Sequence, residues 1–240
     1  MSGARNFVLV HGAYHGGWCW RRVADLLRAR GHRVFTPTLA GLAERHREAA
    51  GPINVTTHIN GIVDLFQWEE LEDAVLCGHS YGGMVVTGAA DAIPDRIRHL
   101  VYLDALIPEN GTAVADYVFD KDGLAEVIHA AGDHGGFLQP LVSNVAELFN
   151  VNEADRPLVD RLCTHQPIGT LIEKIRLTGA HERITGHTYI RATDWPYLAI
   201  DQACARAQAK PGWQVHELAG GHDLMLDAPE ALTDLLCNLD

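Results

Sequence analysis

Short apolar runs alternate with longer amphipathic stretches along the first part of the chain. Four apolar runs have the length of buried strands: 7–10, 32–36, 74–77 and 99–103. Three segments with apolar side chains at helical spacing lie between or beside them: 18–30, 59–68 and 83–93. Continuous apolar strands that alternate with helices form parallel sheets covered on both faces. The pattern therefore predicts an α/β fold with a mostly parallel sheet.

This alternation stops after residue 105 and resumes near residue 188. Strand patterns then occur at 188–192 and 214–218, and a helical pattern closes the sequence at 229–239. A structureless loop of about 80 residues is rare inside a compact domain, so the interval predicts a small helical cap. We expect one domain over 1–240, with its core at 1–105 and 188–240 and the cap at 106–187.

Composition and charge exclude several classes of protein. The 240 residues include 19 Lys and Arg against 31 Asp and Glu, a formal net charge of −12. No basic cluster is present to bind nucleic acid, and no apolar run is long enough to span a membrane. Five cysteines without a C-x-x-C pair argue against disulfides and against a metal site. We expect a cytoplasmic protein without a metal or other cofactor, and leave a homodimer open.

A G-x-S-x-G motif lies between a predicted strand and a predicted helix. It reads Gly78-His79-Ser80-Tyr81-Gly82, and it follows the apolar run 74–77 directly. With 23 glycines and three serines in the chain, about 0.03 such matches are expected by chance. In this context the motif is a nucleophile elbow, a sharp strand-to-helix turn that exposes the serine hydroxyl above the sheet. Ser80 is the candidate nucleophile; a plain tight turn is the alternative.

A serine hydroxyl needs a neutral imidazole to accept its proton. Of the 14 histidines, we favour His222, because it follows the last predicted strand and precedes the last helix. The order serine, acid, histidine along the chain agrees with this choice.

The third member of a triad orients the imidazole and should end a strand between Ser80 and His222. Asp194 follows the predicted strand 188–192, which is the usual position of the acid in this fold. Asp104 ends the strand that follows the nucleophile helix, and a carboxylate in so apolar a run needs a partner. The sequence leaves both aspartates open.

A glycine-rich loop follows the first strand, where this fold places part of the oxyanion hole. It reads His11-Gly12-Ala13-Tyr14-His15-Gly16-Gly17. We expect the backbone N–H groups of Ala13 and Tyr81 to bind the oxyanion. Gly12, Tyr14 and Trp18 are the expected substrate contacts.

These segments resemble the plant methylesterase and hydroxynitrile lyase branch of the α/β-hydrolase fold, with its bacterial carboxylesterase relatives. The resemblance covers most of the chain and rests on the loop after the first strand, the serine motif and Gly221-His222-Asp223-Leu224-Met225-Leu226. It implies an esterase that cleaves a small apolar or aromatic ester or lactone. Lyases of this branch carry a lysine directly after the catalytic histidine, where this chain has Asp223. A carbon–carbon lyase and a non-hydrolytic ligand receptor are the alternatives.

Overall fold

The computed structural model describes residues 3–50 and 52–239, without the side chains of residues 49 and 50. In that part of the chain the strands are β1 (Asn6–Val10), β2 (Arg33–Phe35), β3 (Ala74–His79), β4 (Ile97–Leu103), β5 (Leu138–Gln139), β6 (Gln166–Pro167), β7 (Gly186–Ala192) and β8 (Gln214–Leu218). Six of them form one sheet in the order β2-β1-β3-β4-β7-β8. Every neighbouring pair in this sheet is parallel. The predicted α/β fold with a parallel sheet is confirmed.

Helices cover both faces of the sheet. The described helices are α1 (Arg21–Ala29), α2 (Val55–Trp68), α3 (Gly82–Ala92), α4 (Ala115–Val118), α5 (Lys121–Gly132), α6 (Val145–Leu148), α7 (Arg156–Leu162), α8 (Gly169–Ile172), α9 (Leu198–Ala209), α10 (Leu224–Asp227) and α11 (Pro229–Cys237). Because the sheet is covered on both sides, all six residues of β3 are buried. None of the described helices is long and apolar enough to cross a membrane.

Helix α2 begins four residues before the predicted start, and its cap explains the difference. The Asn54 side chain accepts a hydrogen bond from the backbone N–H of Thr57 at 2.9 Å, and the Thr57 hydroxyl accepts one from the Asn54 N–H at 3.3 Å. This reciprocal pair satisfies two free donors of the first turn. The first turn, 55–58, has a single apolar residue, Val55, so the apolar periodicity that predicted the helix starts after it.

The interval between β4 and β7 contains helices α4 to α8 and the antiparallel pair β5 and β6. Its division from the core as a separate cap remains a prediction. Two segments of this interval reach the carboxyl end of the sheet. The Thr164 N–H donates to the Tyr14 carbonyl at 2.9 Å, and the His222 N–H donates to the Phe149 carbonyl at 2.9 Å. The loops that follow β1 and β8 are thereby fixed against the inserted segment.

The close contact between α3 and the segment after β4 depends on Gly83. A Cβ atom built at this position would lie 2.0 Å from the Leu106 backbone oxygen. Gly61, inside α2, has no heavy atom within 4 Å of the same hypothetical Cβ. The two glycines therefore have different physical roles in helices.

We expect Gly83→Ala to lower the free energy of unfolding by about 1–3 kcal/mol, because a backbone oxygen cannot turn away from the added methyl group. The control, Gly61→Ala, should raise stability by up to about 1 kcal/mol through helix propensity. Urea unfolding followed by circular dichroism measures both values. Equal effects of the two substitutions would contradict the close contact.

Candidate active site

Ser80 lies on the turn between β3 and α3 in a left-handed backbone conformation, with φ of +54°. Its N–H donates to the Leu103 carbonyl at 3.1 Å, and its own carbonyl accepts from the Gly83 N–H at 3.0 Å. A non-glycine residue held at positive φ costs on the order of 1 kcal/mol and persists only where its surroundings fix it. The turn has the strained geometry that the G-x-S-x-G motif predicts.

The flanking glycines are required because the chain packs tightly at this turn. A Cβ at Gly78 would lie 2.6 Å from the Gly82 oxygen, and a Cβ at Gly82 would lie 2.8 Å from the His11 oxygen. A Cβ at Gly12 would lie 2.8 Å from the Ser80 Cβ. The loop after β1 therefore passes directly beside the serine.

His222 is held by a hydrogen bond to Asp104. Its Nδ1 lies 2.6 Å from the Asp104 Oδ2, and the imidazole is 1% exposed. Its ring stacks on Trp195 with 3.9 Å between ring centres. The His222 Nε2 is buried and has no hydrogen-bond partner among the described residues. The geometry leaves this nitrogen available to accept a proton.

His79, the residue before Ser80, contacts His222, and this contact brings the loop after β8 close to the serine. The rings of His79 and His222 are 4.5 Å apart, and the His79 Nε2 lies 3.0 Å from the His222 carbonyl oxygen. The end of β3 and the loop after β8 are thus joined beside Ser80.

Asp104 has three hydrogen-bond partners at its carboxylate in the described part of the chain and no solvent contact. Besides His222, its carboxylate accepts from the Arg191 guanidinium at 2.6 Å and from the Ala192 N–H at 3.0 Å. Its backbone is left-handed, with φ of +44°. It follows β4 while Arg191 lies in the neighbouring β7, so the sheet itself brings the two charges together.

Asp194 lies elsewhere. It is exposed, and its Oδ1 accepts from the Thr193 hydroxyl at 2.9 Å. The loop that carries it instead presents Trp195 to the imidazole. The structure therefore places Asp104, and not Asp194, against His222.

The loop after β1 is fixed by the inserted segment. Tyr14 has φ of +66°, its N–H donates to the Gln166 Oε1 at 2.9 Å, and its carbonyl accepts from the Thr164 N–H. In the described part of the chain, the N–H groups of Ala13 and Tyr81 donate to no loop, cap or side-chain acceptor. Tyr81 is also the N-cap of α3, where the helix dipole favours a negative charge. Both amides are free for the predicted oxyanion role.

The predicted substrate contacts are mostly covered in this structure. Tyr14 is 9% exposed, and the partly buried Trp18 packs against the core and stacks on His15 at 5.3 Å between ring centres. With Gly12 beside Ser80, all three lie in or just after the loop that follows β1. Their contact with substrate remains a prediction.

The sequence patterns did not predict roles for Arg191, Trp195 or the pair His15 and Asp223. Arg191 carried a usable signal, because a charged residue in the apolar run 188–192 needs a buried partner. The Nε2 of His15 lies 3.0 Å from the Asp223 Oδ2, and both side chains are fully buried. No spacing in the sequence indicates that pair.

Within the described residues, no group of three or more His, Cys, Asp or Glu side chains is arranged to hold a metal ion. The five cysteines are free thiols. Burial raises the pKa of Cys19 and Cys77 above that of an ordinary thiol.

Two buried histidines beside the site are neutral. The His11 Nδ1 donates to the Gly12 carbonyl and its Nε2 accepts from the Leu39 N–H. The His58 Nε2 donates to the Ala40 carbonyl and its Nδ1 accepts from the Tyr81 hydroxyl. Burial lowers the pKa of His11 to about 3 and that of His58 to about 4.

A strained serine beside an imidazole–carboxylate pair, at the carboxyl end of a parallel sheet, defines the class of α/β hydrolases. The model of the alpha/beta hydrolase family matches residues 7–235. The chain belongs to that family.

Its relatives include ester hydrolases. It is 42% identical to the carbendazim hydrolyzing esterase of Nocardioides sp. (strain SG-4G), across 98% of this chain and 99% of that protein. It is 37% identical to the alpha-hydroxynitrile lyase of Arabidopsis thaliana, across 50% of this chain and 47% of the lyase. An extracellular alpha/beta-hydrolase from a Paenibacillus species superimposes with a TM-score of 0.85 at 24% identity, across 98% of each chain. The predicted family and the ester-hydrolase class are confirmed.

The neutral histidines predict a loss of stability in acid. Unfolded histidines take up protons near pH 6.5, whereas native His58 does so only near pH 4. Each such group lowers the free energy of unfolding by up to about 1.4 kcal/mol per pH unit as the pH falls through that window.

We expect His58→Gln to show a shallower decline of stability between pH 6.5 and about 4 than the parent protein. Urea unfolding at a series of pH values measures the slope. The comparison concerns the slope and not the level, because the substitution also changes a hydrogen bond. An unchanged slope would show that native His58 takes up its proton at the same pH as an unfolded histidine, which would contradict the lowered pKa.

Proposed function

We propose that the chain is a serine carboxylesterase with Ser80 as nucleophile, His222 as general base and Asp104 as the acid that orients it. The proposal rests on the 2.6 Å contact between the His222 Nδ1 and Asp104, which leaves the buried His222 Nε2 without a partner among the described residues. His79, the neighbour of the strained Ser80, contacts the His222 ring. The contact with Asp104 selects the tautomer whose Nε2 can accept the serine proton.

The geometry supports a two-step reaction. The Ser80 Oγ bonds to the ester carbonyl carbon while its proton moves to the His222 Nε2. The tetrahedral oxyanion accepts hydrogen bonds from the Ala13 and Tyr81 N–H groups. The carbon–oxygen bond to the alcohol then breaks, and the alcohol leaves with the proton from Nε2. Water repeats the sequence on the acyl-enzyme and releases the acid and free Ser80.

Arg191 supports Asp104 in this scheme. Its guanidinium donates to one carboxylate oxygen, while His222 uses the other. The same guanidinium donates to the Trp195 carbonyl at 2.7 Å, and the Trp195 ring stacks on the imidazole. Arg191 therefore fixes both the acid and the stacking partner of the base.

We propose a small uncharged ester as substrate, apolar or aromatic. The net charge of −12 disfavours acidic substrates. The Nocardioides esterase, which aligns over 98% of this chain, is named for hydrolysis of carbendazim. Carbendazim and simple aryl esters are therefore the first compounds to assay. The lyase alternative is disfavoured because the position after His222 holds Asp223, whose carboxylate faces His15 and supplies no cation.

The nucleophile is tested by labelling with a fluorophosphonate and measuring intact mass. We expect one adduct on the parent protein and none on Ser80→Ala. Ser143, which is exposed in the inserted segment, provides the control: Ser143→Ala should keep the adduct. A folded parent protein without an adduct would contradict an activated Ser80 and favour the receptor alternative. Release of cyanide from mandelonitrile by the parent enzyme would favour the lyase.

The two aspartates are separated by one pair of variants. We expect Asp104→Asn to lower kcat by roughly 10⁴-fold, because the amide cannot stabilise the imidazolium. Asp194→Asn should keep the parent rate, because within the described residues that carboxylate accepts a hydrogen bond from Thr193 alone. Hydrolysis of 4-nitrophenyl acetate measures both rates. The opposite result would assign the acid to Asp194.

A further inference from the structure

A second imidazole–carboxylate pair, His15 and Asp223, lies beside the proposed catalytic residues. Both His15 and Asp223 are 0% exposed, and the His15 Nε2 lies 3.0 Å from the Asp223 Oδ2. The other ring nitrogen of His15, Nδ1, lies 2.8 Å from the Ala13 carbonyl oxygen. Both ring nitrogens face oxygen acceptors, so both carry protons and the pair is an imidazolium with a carboxylate.

This ion pair connects two separate catalytic loops. The His15 Nδ1 donates to the Ala13 carbonyl. The Ala13 N–H, a proposed oxyanion donor, belongs to the preceding peptide of the same loop, whose Gly12 carbonyl accepts from His11. Asp223 follows His222 directly in the chain. Asp223 is also the N-cap of α10, and the Leu226 N–H of that helix donates to the Asp223 carbonyl at 2.7 Å.

We propose that His15 and Asp223 are positioning residues that hold the oxyanion loop in register with His222. The inference rests on the proposed serine esterase function. Charge-assisted hydrogen bonds in a dry environment are strong and geometrically restrictive, and oxyanion donors must be placed within a few tenths of an ångström. A pair that joins the donor loop to the base loop supplies that restriction.

The surrounding charges agree with this assignment. Burial lowers the pKa of His15, but the charge of Asp223 and contact with Cys163 outweigh it, so the pKa lies well above 6.5. Burial acts to raise the pKa of Asp223, and the opposing charge of His15 brings it to about 2. His79, whose pKa burial and His222 hold well below 6.5, is 3.8 Å from the second Asp223 oxygen. The pair therefore stays charged at neutral pH.

The loop after β1 is also held at Tyr14, the residue after Ala13. The Gln166 Oε1 accepts from the Tyr14 N–H, which shares a peptide unit with the Ala13 carbonyl, and the Thr164 N–H donates to the Tyr14 carbonyl. Both partners belong to the inserted segment and not to the loop that carries His222. Removal of the ion pair should therefore leave the loop attached to the inserted segment but release it from the loop that carries His222.

The test is steady-state hydrolysis of 4-nitrophenyl acetate by Asp223→Ala, with the fraction of folded protein measured by circular dichroism. We expect kcat per folded enzyme to fall about 10- to 100-fold, with a smaller change in KM, because the ion pair positions the loops whose groups act in the transition state. Asp223→Asn should recover part of this loss, because its amide can donate to a neutral Nε2. A kcat equal to that of the parent enzyme would overturn the inference.

A matched control is available in a remote pair of the same kind. The His181 Nδ1 lies 2.9 Å from the Asp91 Oδ1. Asp91 belongs to α3, and His181 lies in the segment before β7. Asp91→Asn should lower the melting temperature and leave kcat unchanged. If Asp91→Asn lowered kcat as Asp223→Ala does, the effect would be general destabilisation and the inference would fail.

If Asp223→Ala does not fold, the double variant His15→Gln/Asp223→Asn removes both charges together and leaves no unpaired ion. A fall in its kcat of about 10-fold or more supports the inference, and an unchanged kcat overturns it. The parent enzyme separates this outcome from failure of the proposed function. A parent without turnover and without a fluorophosphonate adduct would reject the esterase, whereas an active parent with unaffected variants would reject only the positioning role.

Discussion

The Asp104 carboxylate is shared between an imidazole and a guanidinium in a place that water does not reach. Removing a carboxylate from water costs several kcal/mol unless its oxygens are paired, so the position is tolerated only because β4 and β7 are neighbours. This pairing fixes Arg191, and through it the Trp195 carbonyl and the ring that stacks on His222. Sheet order thus determines where the imidazole lies.

Much of this arrangement follows from local patterns in the sequence. Strand β3 is mostly apolar because all six of its residues are buried, and the serine turn needs glycines at fixed offsets from Ser80. Such signals lie within a few residues of the feature they predict. The choice between Asp104 and Asp194 is different, because it depends on which strand end faces the loop after β8. The sequence contains both aspartates in suitable positions, and only the three-dimensional register separates them.

The contact between His15 and Asp223 could not be predicted from the sequence either. The two residues are 208 positions apart, and each stands beside a motif that sequence analysis recognises. The glycines around His15 indicate close backbone approach, but they carry no information about the charge that the imidazole meets. Asp223 alone is informative only by contrast with the lysine of the resembling lyases. A contact between two non-adjacent loops has no periodicity and therefore no pattern to detect.

Two buried ion pairs beside one serine are costly, and their cost argues for a role in geometry. A hydrophobic pair of similar volume often gives equal or greater stability than a buried ion pair. What the charged pairs add is direction, since their hydrogen bonds join particular atoms: the Asp104 Oδ1 to Arg191, and the Asp223 Oδ2 to the His15 Nε2. Asp104 with Arg191 fixes the imidazole, and Asp223 with His15 fixes the loop that carries Ala13. The proposed base and the proposed oxyanion donor Ala13 belong to different loops, and in the proposed reaction an ester carbonyl must meet both at once, so each loop needs its own restraint.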